Sequence, residues 1–189
     1  MSLFVNTFFE ERLQDLFNLA ARVEKAFGAA GIEYRVVGGL AAYLYVEEAE
    51  ADAGRLTKDI DILVRREDLP GIAAAVEPFG LEYRHAAGVD MLVQKGAPSA
   101  RRAVHMIFAD EKVRPEYSEA SAKIGESREI QGIPVIPLAD LVTMKLTSFR
   151  LKDQTHIQDL DEQGLITPEI EAGLSPLLRE RLAHVRAQY

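Results

Sequence analysis

Two short stretches carry residues whose types and spacing could do chemistry. In DIDILV, residues 59–64, one isoleucine separates Asp59 from Asp61 inside an apolar run. Side chains alternate along a strand, so Asp59, Asp61 and Leu63 share one side while Ile60, Ile62 and Val64 take the other. Two carboxylates held that close repel unless a cation lies between them. A hard divalent ion such as Mg²⁺ suits the pair, because it takes oxygen ligands and completes its shell with water and substrate phosphates. Upstream, VVGG places Gly38 and Gly39 between a strand-like run and an alanine-rich helical one. Glycines there let backbone N–H groups approach a ligand, and the N-terminus of the following helix adds partial positive charge. A phosphate cradle beside a metal-binding carboxylate pair fits phosphoryl or nucleotidyl transfer, in which positioning and electrostatics supply most of the catalysis.

The elements that must position these residues follow from periodicity. Residues 7–30 predict a helix: Thr7 and Glu10 form a capping box, and Leu13, Leu16, Phe17, Ala20, Val23 and Phe27 recur on one face. Residues 32–37 predict a strand, 40–51 a helix, 52–57 a loop and 59–64 the aspartate strand. A helix is expected at 67–79, then strands at 81–86, 90–95 and 102–108, the first two joined by a hairpin at Gly88. Residues 110–129 read as loop with little regular structure, and 133–137 as a short strand between prolines. Helices are expected at 138–151 and 153–161. Thr167-Pro168 and Ser175-Pro176 then mark two helix starts, each with a hydroxyl N-cap and proline at the first helical position. This order gives an α+β fold, a mixed sheet with helices packed on one side. Residues 1–137 form the α/β core and 138–189 a helical C-terminal region packed on it.

Composition narrows the functional classes. The 189 residues include no cysteine, which excludes a disulfide framework, thiolate metal ligands and a cysteine nucleophile. The net charge of −8 argues against a generic nucleic-acid binder. The first residues lack the basic region of a signal peptide and no apolar run reaches membrane-spanning length, so a cytoplasmic protein is expected.

VVGGLAAYLY…RLTKDIDILV resembles the nucleotidyltransferase superfamily with the polymerase-β-like fold, whose signature is a Gly-Gly or Gly-Ser turn followed, after a variable spacer, by D-x-D or D-x-E on the next strand. The long spacer, and the later IPLADLVTMKLTSFRLKDQTHIQDL (136–160), resemble its AbiEii-type, toxin-like branch. The resemblance implies that Gly38 and Gly39 hold a nucleoside triphosphate and that Asp59 and Asp61 bind Mg²⁺. It implies that Thr57 matches a small hydroxyl residue before the pair, and that Lys145, Lys152 and Asp153 belong to the second conserved region. Its implied acceptors are tRNA or protein, with an antitoxin as partner.

Active members of that superfamily carry a third carboxylate on a later strand. In RAVHMIF the matching position is His105. Three readings follow: His105 is a metal ligand or base, Asp90 or Asp110 swings in, or the site binds nucleotide without turning it over. Lys145 lies beside the stripe Leu138, Val142, Leu146 and Phe149, from which it can snorkel or reach phosphate. Asp153, His156 and Asp159 recur at steps of three and could share a helix face, as a solvated polar surface or as metal ligands. The sequence therefore predicts a Mg²⁺-dependent transfer of a nucleoside monophosphate from a triphosphate to an acceptor hydroxyl. The alternative is a nucleotide-binding or interaction module of the same fold.

Overall fold

A computed structural model describes residues 2–55, 57, 59–96 and 103–188, with side chains from residue 13 onward. The described residues form a seven-stranded mixed sheet and seven α-helices. Helix α1 (Ser2–Ala30) precedes strand β1 (Arg35–Val37), helix α2 (Gly38–Ala49) and strand β2 (Ile60–Val64). Helix α3 (Leu69–Val76), flanked by 3-10 turns, leads to β3 (Leu81–Ala86), β4 (Val89–Gln94) and β5 (Val104–Phe108). The hairpin β6 (Arg128–Ile130) and β7 (Ile133–Val135) is followed by α4 (Leu138–Ser148), α5 (Leu151–Glu162), α6 (Pro168–Gly173) and α7 (Pro176–Arg186).

The strand order is β3-β4-β5-β2-β1-β7-β6. The pairs β2–β5 and β1–β7 are parallel and the remaining neighbours antiparallel. The aspartate strand thus sits at the centre, between β5 and β1, where both edges are hydrogen-bonded. Ile60, Ile62 and Val64 are each at most 1% exposed. They belong to a single apolar cluster that runs from Leu16 on α1 to Val185 on α7. Removing that apolar surface from water is the main force holding the layers together.

Several boundaries differ from expectation for local reasons. Helix α1 begins at Ser2, so Thr7 and Glu10 lie inside it rather than at its start. Strand β2 begins at Ile60, and Asp59 occupies the bend before it. Residues 110–127 are irregular as expected, but 128 and 129, which also read as loop, join Ile130 in strand β6. Its turn is Gln131-Gly132, both at positive φ (53° and 75°), the backbone of a two-residue hairpin turn. Helix α4 stops at Ser148 because Phe149 turns left-handed, at φ 50°. Thr167 caps α6 as predicted, accepting from Ile170 N at 3.4 Å, whereas Ser175 makes no side-chain cap bond.

Candidate active site

Strand registry brings the chemistry together. Asp61 pairs with Val37 on one side and with His105 on the other. Residues opposite one another in a ladder share a face, so His105 and Asp61 point the same way, opposite to the buried isoleucines. His105 Nδ1 lies 3.5 Å from Asp61 Oδ1, and both side chains are about a quarter exposed, at 23% and 25%. The imidazole therefore opens into the aspartate cleft rather than into the core. Asp59, just before the strand, lines the same cleft, whose volume is about 630 Å³.

The glycines are shaped by the residues they face. Gly38 has φ +68°, a left-handed conformation that other residues rarely adopt. A Cβ built on it would fall 2.8 Å from both Cβ and Cγ of Asp61, inside the space of the carboxylate. A Cβ on Gly39 would lie 2.6 Å from Thr57 Oγ1 and 3.0 Å from Thr57 Cβ. The two parts of the sequence signature thus touch: Gly38 seats Asp61, and Gly39 seats Thr57. The same glycines open α2, whose N-terminus has no side-chain cap and faces the carboxylates. Thr57 Oγ1 also donates to the carbonyl of Asp59 at 3.4 Å. Farther back, Glu47 accepts from Gly54 N at 2.9 Å, and Arg55 forms a two-pronged pair with Asp159 of α5 at 2.8 and 2.9 Å. These bonds tie the loop before Asp59 to α2 and α5.

The opposite wall comes from α4, the corner after it and α5. Lys145, Ser148, Arg150, Lys152 and Asp153 all line it. Lys145 does not snorkel: it is 4% exposed, and its ammonium donates to Asp153 Oδ1 at 3.3 Å and His156 Nδ1 at 2.7 Å. Asp153 is 1% exposed. It accepts from Ser148 Oγ at 2.7 Å and Arg150 Nε at 2.7 Å, and it also receives the backbone N–H of Arg150, closing a reciprocal cap on α5. Asp153 is therefore a buried anchor in the cleft wall, and Lys152 is the exposed member of that pair. Burial drives the Lys145 pKa below the ordinary lysine value against the pull of Asp153 and Asp61. Burial pushes Asp153 the other way, but the Arg150 hydrogen bond, the Lys145 charge and the Ser148 hydrogen bond outweigh it, so its carboxyl sits below the usual range. Burial, then the Lys145 charge, lowers His156 to about 4, so its neutral ring accepts from the ammonium.

Neither Asp90 nor Asp110 joins Asp59 and Asp61. Asp90 belongs to the cleft lining but pairs with Met106 in the ladder, on the face opposite His105. Its Oδ1 accepts from Tyr83 Oη at 2.6 Å and meets His85 Nδ1 at 2.8 Å. Asp110 lies in the turn after β5 at φ 62°, outside the cleft lining. Asp153, His156 and Asp159 do not act as one group: Asp153 meets Arg150 and Lys145, His156 meets Lys145, and Asp159 meets Arg55. Among the described residues no three His, Asp or Glu side chains converge as a metal-binding group. Sequence reasoning missed His156, Arg150 and Ser148 as parts of one network. The available signal was Arg150 three residues before Asp153, the spacing of a reciprocal N-terminal cap.

Neither protein-family models nor curated proteins match the sequence. Solved structures do. The antibiotic-resistance factor ANT(2'')-Ia aligns over 94% of each chain with TM-score 0.57 and 13% identity. An antigenic nucleotidyltransferase-like protein from Paracoccidioides brasiliensis aligns over 93% of this chain and 88% of its own, with TM-score 0.60 and 17% identity. The lincosamide antibiotic adenylyltransferase LnuA, in its lincomycin-bound structure, covers 79% of this chain and 96% of its own, with TM-score 0.50 and 14% identity. The chain has the nucleotidyltransferase fold that these proteins share. No helix among the described residues is long and apolar enough to cross a membrane.

Proposed function

We propose that the protein transfers a nucleoside monophosphate from a nucleoside triphosphate to an acceptor hydroxyl. One observation carries the reading: Asp61 and His105 are paired strand neighbours, and Gly38, at the start of α2, abuts the Asp61 side chain, on one cleft whose opposite wall bears Lys145, Arg150 and Lys152. Among the described residues, no lysine or arginine forms an ion pair with Asp59 or Asp61. Two such carboxylates fit one Mg²⁺, which needs few protein ligands when phosphate and water complete its shell. When bound there, Mg²⁺ would neutralise charge on the phosphates. The chain's own residues divide the remaining work. Gly38 and Gly39 let the α2 amides approach phosphate oxygens. Lys145, Arg150 and Lys152 offset the charge of the triphosphate tail. The acceptor oxygen attacks the α-phosphorus, the bond to the bridging oxygen breaks, and pyrophosphate leaves. His105, beside Asp61, takes the hydroxyl proton.

The AbiEii-type resemblance supports tRNA or a protein as acceptor and an antitoxin as partner. ANT(2'')-Ia has been seen in complex with adenylyl-2''-tobramycin, which supports a small hydroxylated acceptor instead. A second reading, a nucleotide-binding module without turnover, is favoured by the imidazole at position 105 and by the lack of a third convergent ligand among the described residues.

Calorimetric titration of ATP, GTP, CTP and UTP with Mg²⁺ into the wild type and Asp59→Ala/Asp61→Ala tests both. We expect Mg²⁺-dependent heats in the wild type that disappear in the double variant. Equal heats from the two proteins would overturn the site. Binding without pyrophosphate release across tRNA, protein and small-molecule acceptors selects the module reading.

A further inference from the structure

The corner between α4 and α5 carries three groups of the cationic wall, Ser148, Arg150 and Lys152, yet α7 holds it in place. The last turn of α4 leaves carbonyls without intrahelical partners. Those of Leu146 and Thr147 both accept from one nitrogen of Arg181, at 2.7 and 2.8 Å. The same guanidinium lies 5.0 Å from the Phe149 ring centroid, and Phe149 in turn packs edge-on to His184 at 5.9 Å. Phe149 is the left-handed residue that ends α4, so Arg181 grips the helix end and the reversal together. A cation at a helix C-terminus is also favoured by the helix dipole. From there the bonding is continuous. The carbonyl of Lys145 accepts from Phe149 N at 2.9 Å and Ser148 Oγ at 3.3 Å, while Asp153 gathers Ser148, Arg150 and Lys145. Arg181 does not line the cleft.

We propose that Arg181 is a positioning residue: through the α4 carbonyls and Phe149 it fixes the corner that presents Arg150, Lys152 and the Lys145–Asp153 pair to the triphosphate. The proposal rests on the nucleotidyltransferase reading of the cleft. Arg186, one helical turn and a residue farther along α7, is the natural control. It binds Asp161 at 2.8 Å and Glu171 at 2.7 Å, away from the corner.

The test compares Arg181→Ala, Arg181→Lys and Arg186→Ala by thermal melting, by calorimetry with Mg²⁺ and each of the four nucleoside triphosphates, and by amide resonances of Ser148, Arg150 and Asp153 in the free protein. Losing two charge-assisted bonds and the stacked plate should weaken nucleotide binding about tenfold in Arg181→Ala. Lysine restores donors but not the flat stacking surface, so Arg181→Lys should recover most of the affinity. Arg186→Ala should lower the melting temperature while leaving affinity within about twofold, since it touches no part of the wall. An unchanged affinity in Arg181→Ala, or an equal loss in Arg186→Ala, would overturn the proposal. Should Arg181→Ala not fold, Arg181→Gln, which keeps one amide donor, carries the same comparison. If the wild type binds no nucleotide, the functional reading fails and the resonances decide the role of Arg181. Corner shifts confined to the Arg181 variants support a positioning role, and shifts no larger than in Arg186→Ala refute it.

Discussion

Gly38 and Asp153 show how single positions bear on the site. At Gly38 a methyl group meets two obstacles, a left-handed φ of +68° and the Asp61 side chain at 2.8 Å. Gly38→Ala should therefore cost about 1–3 kcal/mol of stability, read by chemical denaturation, and remove Mg²⁺-nucleotide heats because Asp61 must move. Gly39 has only the steric obstacle, the Thr57 side chain. Gly39→Ala should be destabilising alone and milder in a Thr57→Ala background, a coupling that a double-mutant cycle measures directly. Asp153→Asn keeps the shape but leaves the Lys145 ammonium buried without its counter-charge. Breaking one partner of a buried pair typically costs about 3–5 kcal/mol, so this variant should melt far below Lys152→Ala, whose side chain is exposed.

At the scale of elements, turn chemistry and end caps decide what forms. The β6–β7 turn needs positive φ at Gln131 and Gly132. Gly132→Ala should cost about 1 kcal/mol and Gln131→Gly should return a fraction of that, both measurable as shifts in denaturation midpoint. The same turn marks a limit of sequence reasoning. Arg128–Ile130 is three residues long with no strong β pattern, and it forms because Ile133–Val135 and the turn supply its partner. The central strand was legible because Ile60, Ile62 and Val64 alternate with Asp61 and Leu63, although Asp59, expected in the strand, falls in the bend before it. For His105 the sequence offers only a match by resemblance to the third-ligand position and leaves the direction of its ring open; the parallel register of β2 and β5, which sets it beside Asp61, is not legible in the sequence. The Lys145–Asp153–His156 network was not legible. Helix periodicity gives the face of Lys145 but not the partner helix that folds back over it, and of the evenly spaced Asp153, His156 and Asp159 only the first two meet Lys145, while Asp159 meets Arg55. The polarity of 110–129 predicts irregular chain, but nothing in it shows that Arg35, 8% exposed, anchors this stretch by donating to the carbonyls of Gly125 and Glu126.

For the whole molecule, acid stability follows from the neutral His156. Its folded pKa of about 4 lies below the ordinary 6.5, so between those values the unfolded chain binds a proton that the folded protein does not. Stability present above pH 6.5 is then lost as pH falls towards 4, by up to about 3 kcal/mol. Lys145, Asp153, Lys152 and Arg55 surround the ring, and the Asp153 carboxylate, held below its usual range, stays charged across that window. His156→Gln should flatten the dependence of melting temperature on pH between 6.5 and 4 relative to the wild type. A parallel slope in the two proteins would contradict the assignment. The sheet order has a further consequence, in the time domain. Strand β1 lies between β2 and β7, and its register with β7 joins Val36 to Val135. During synthesis, a nascent chain that has emerged as far as β2 can pair β1 with β2, but the other edge of β1 stays open until β7 follows. Because β7 begins only at Ile133, the second edge of β1, and with it the support of the glycine turn that follows, is completed only after most of the chain has been synthesised.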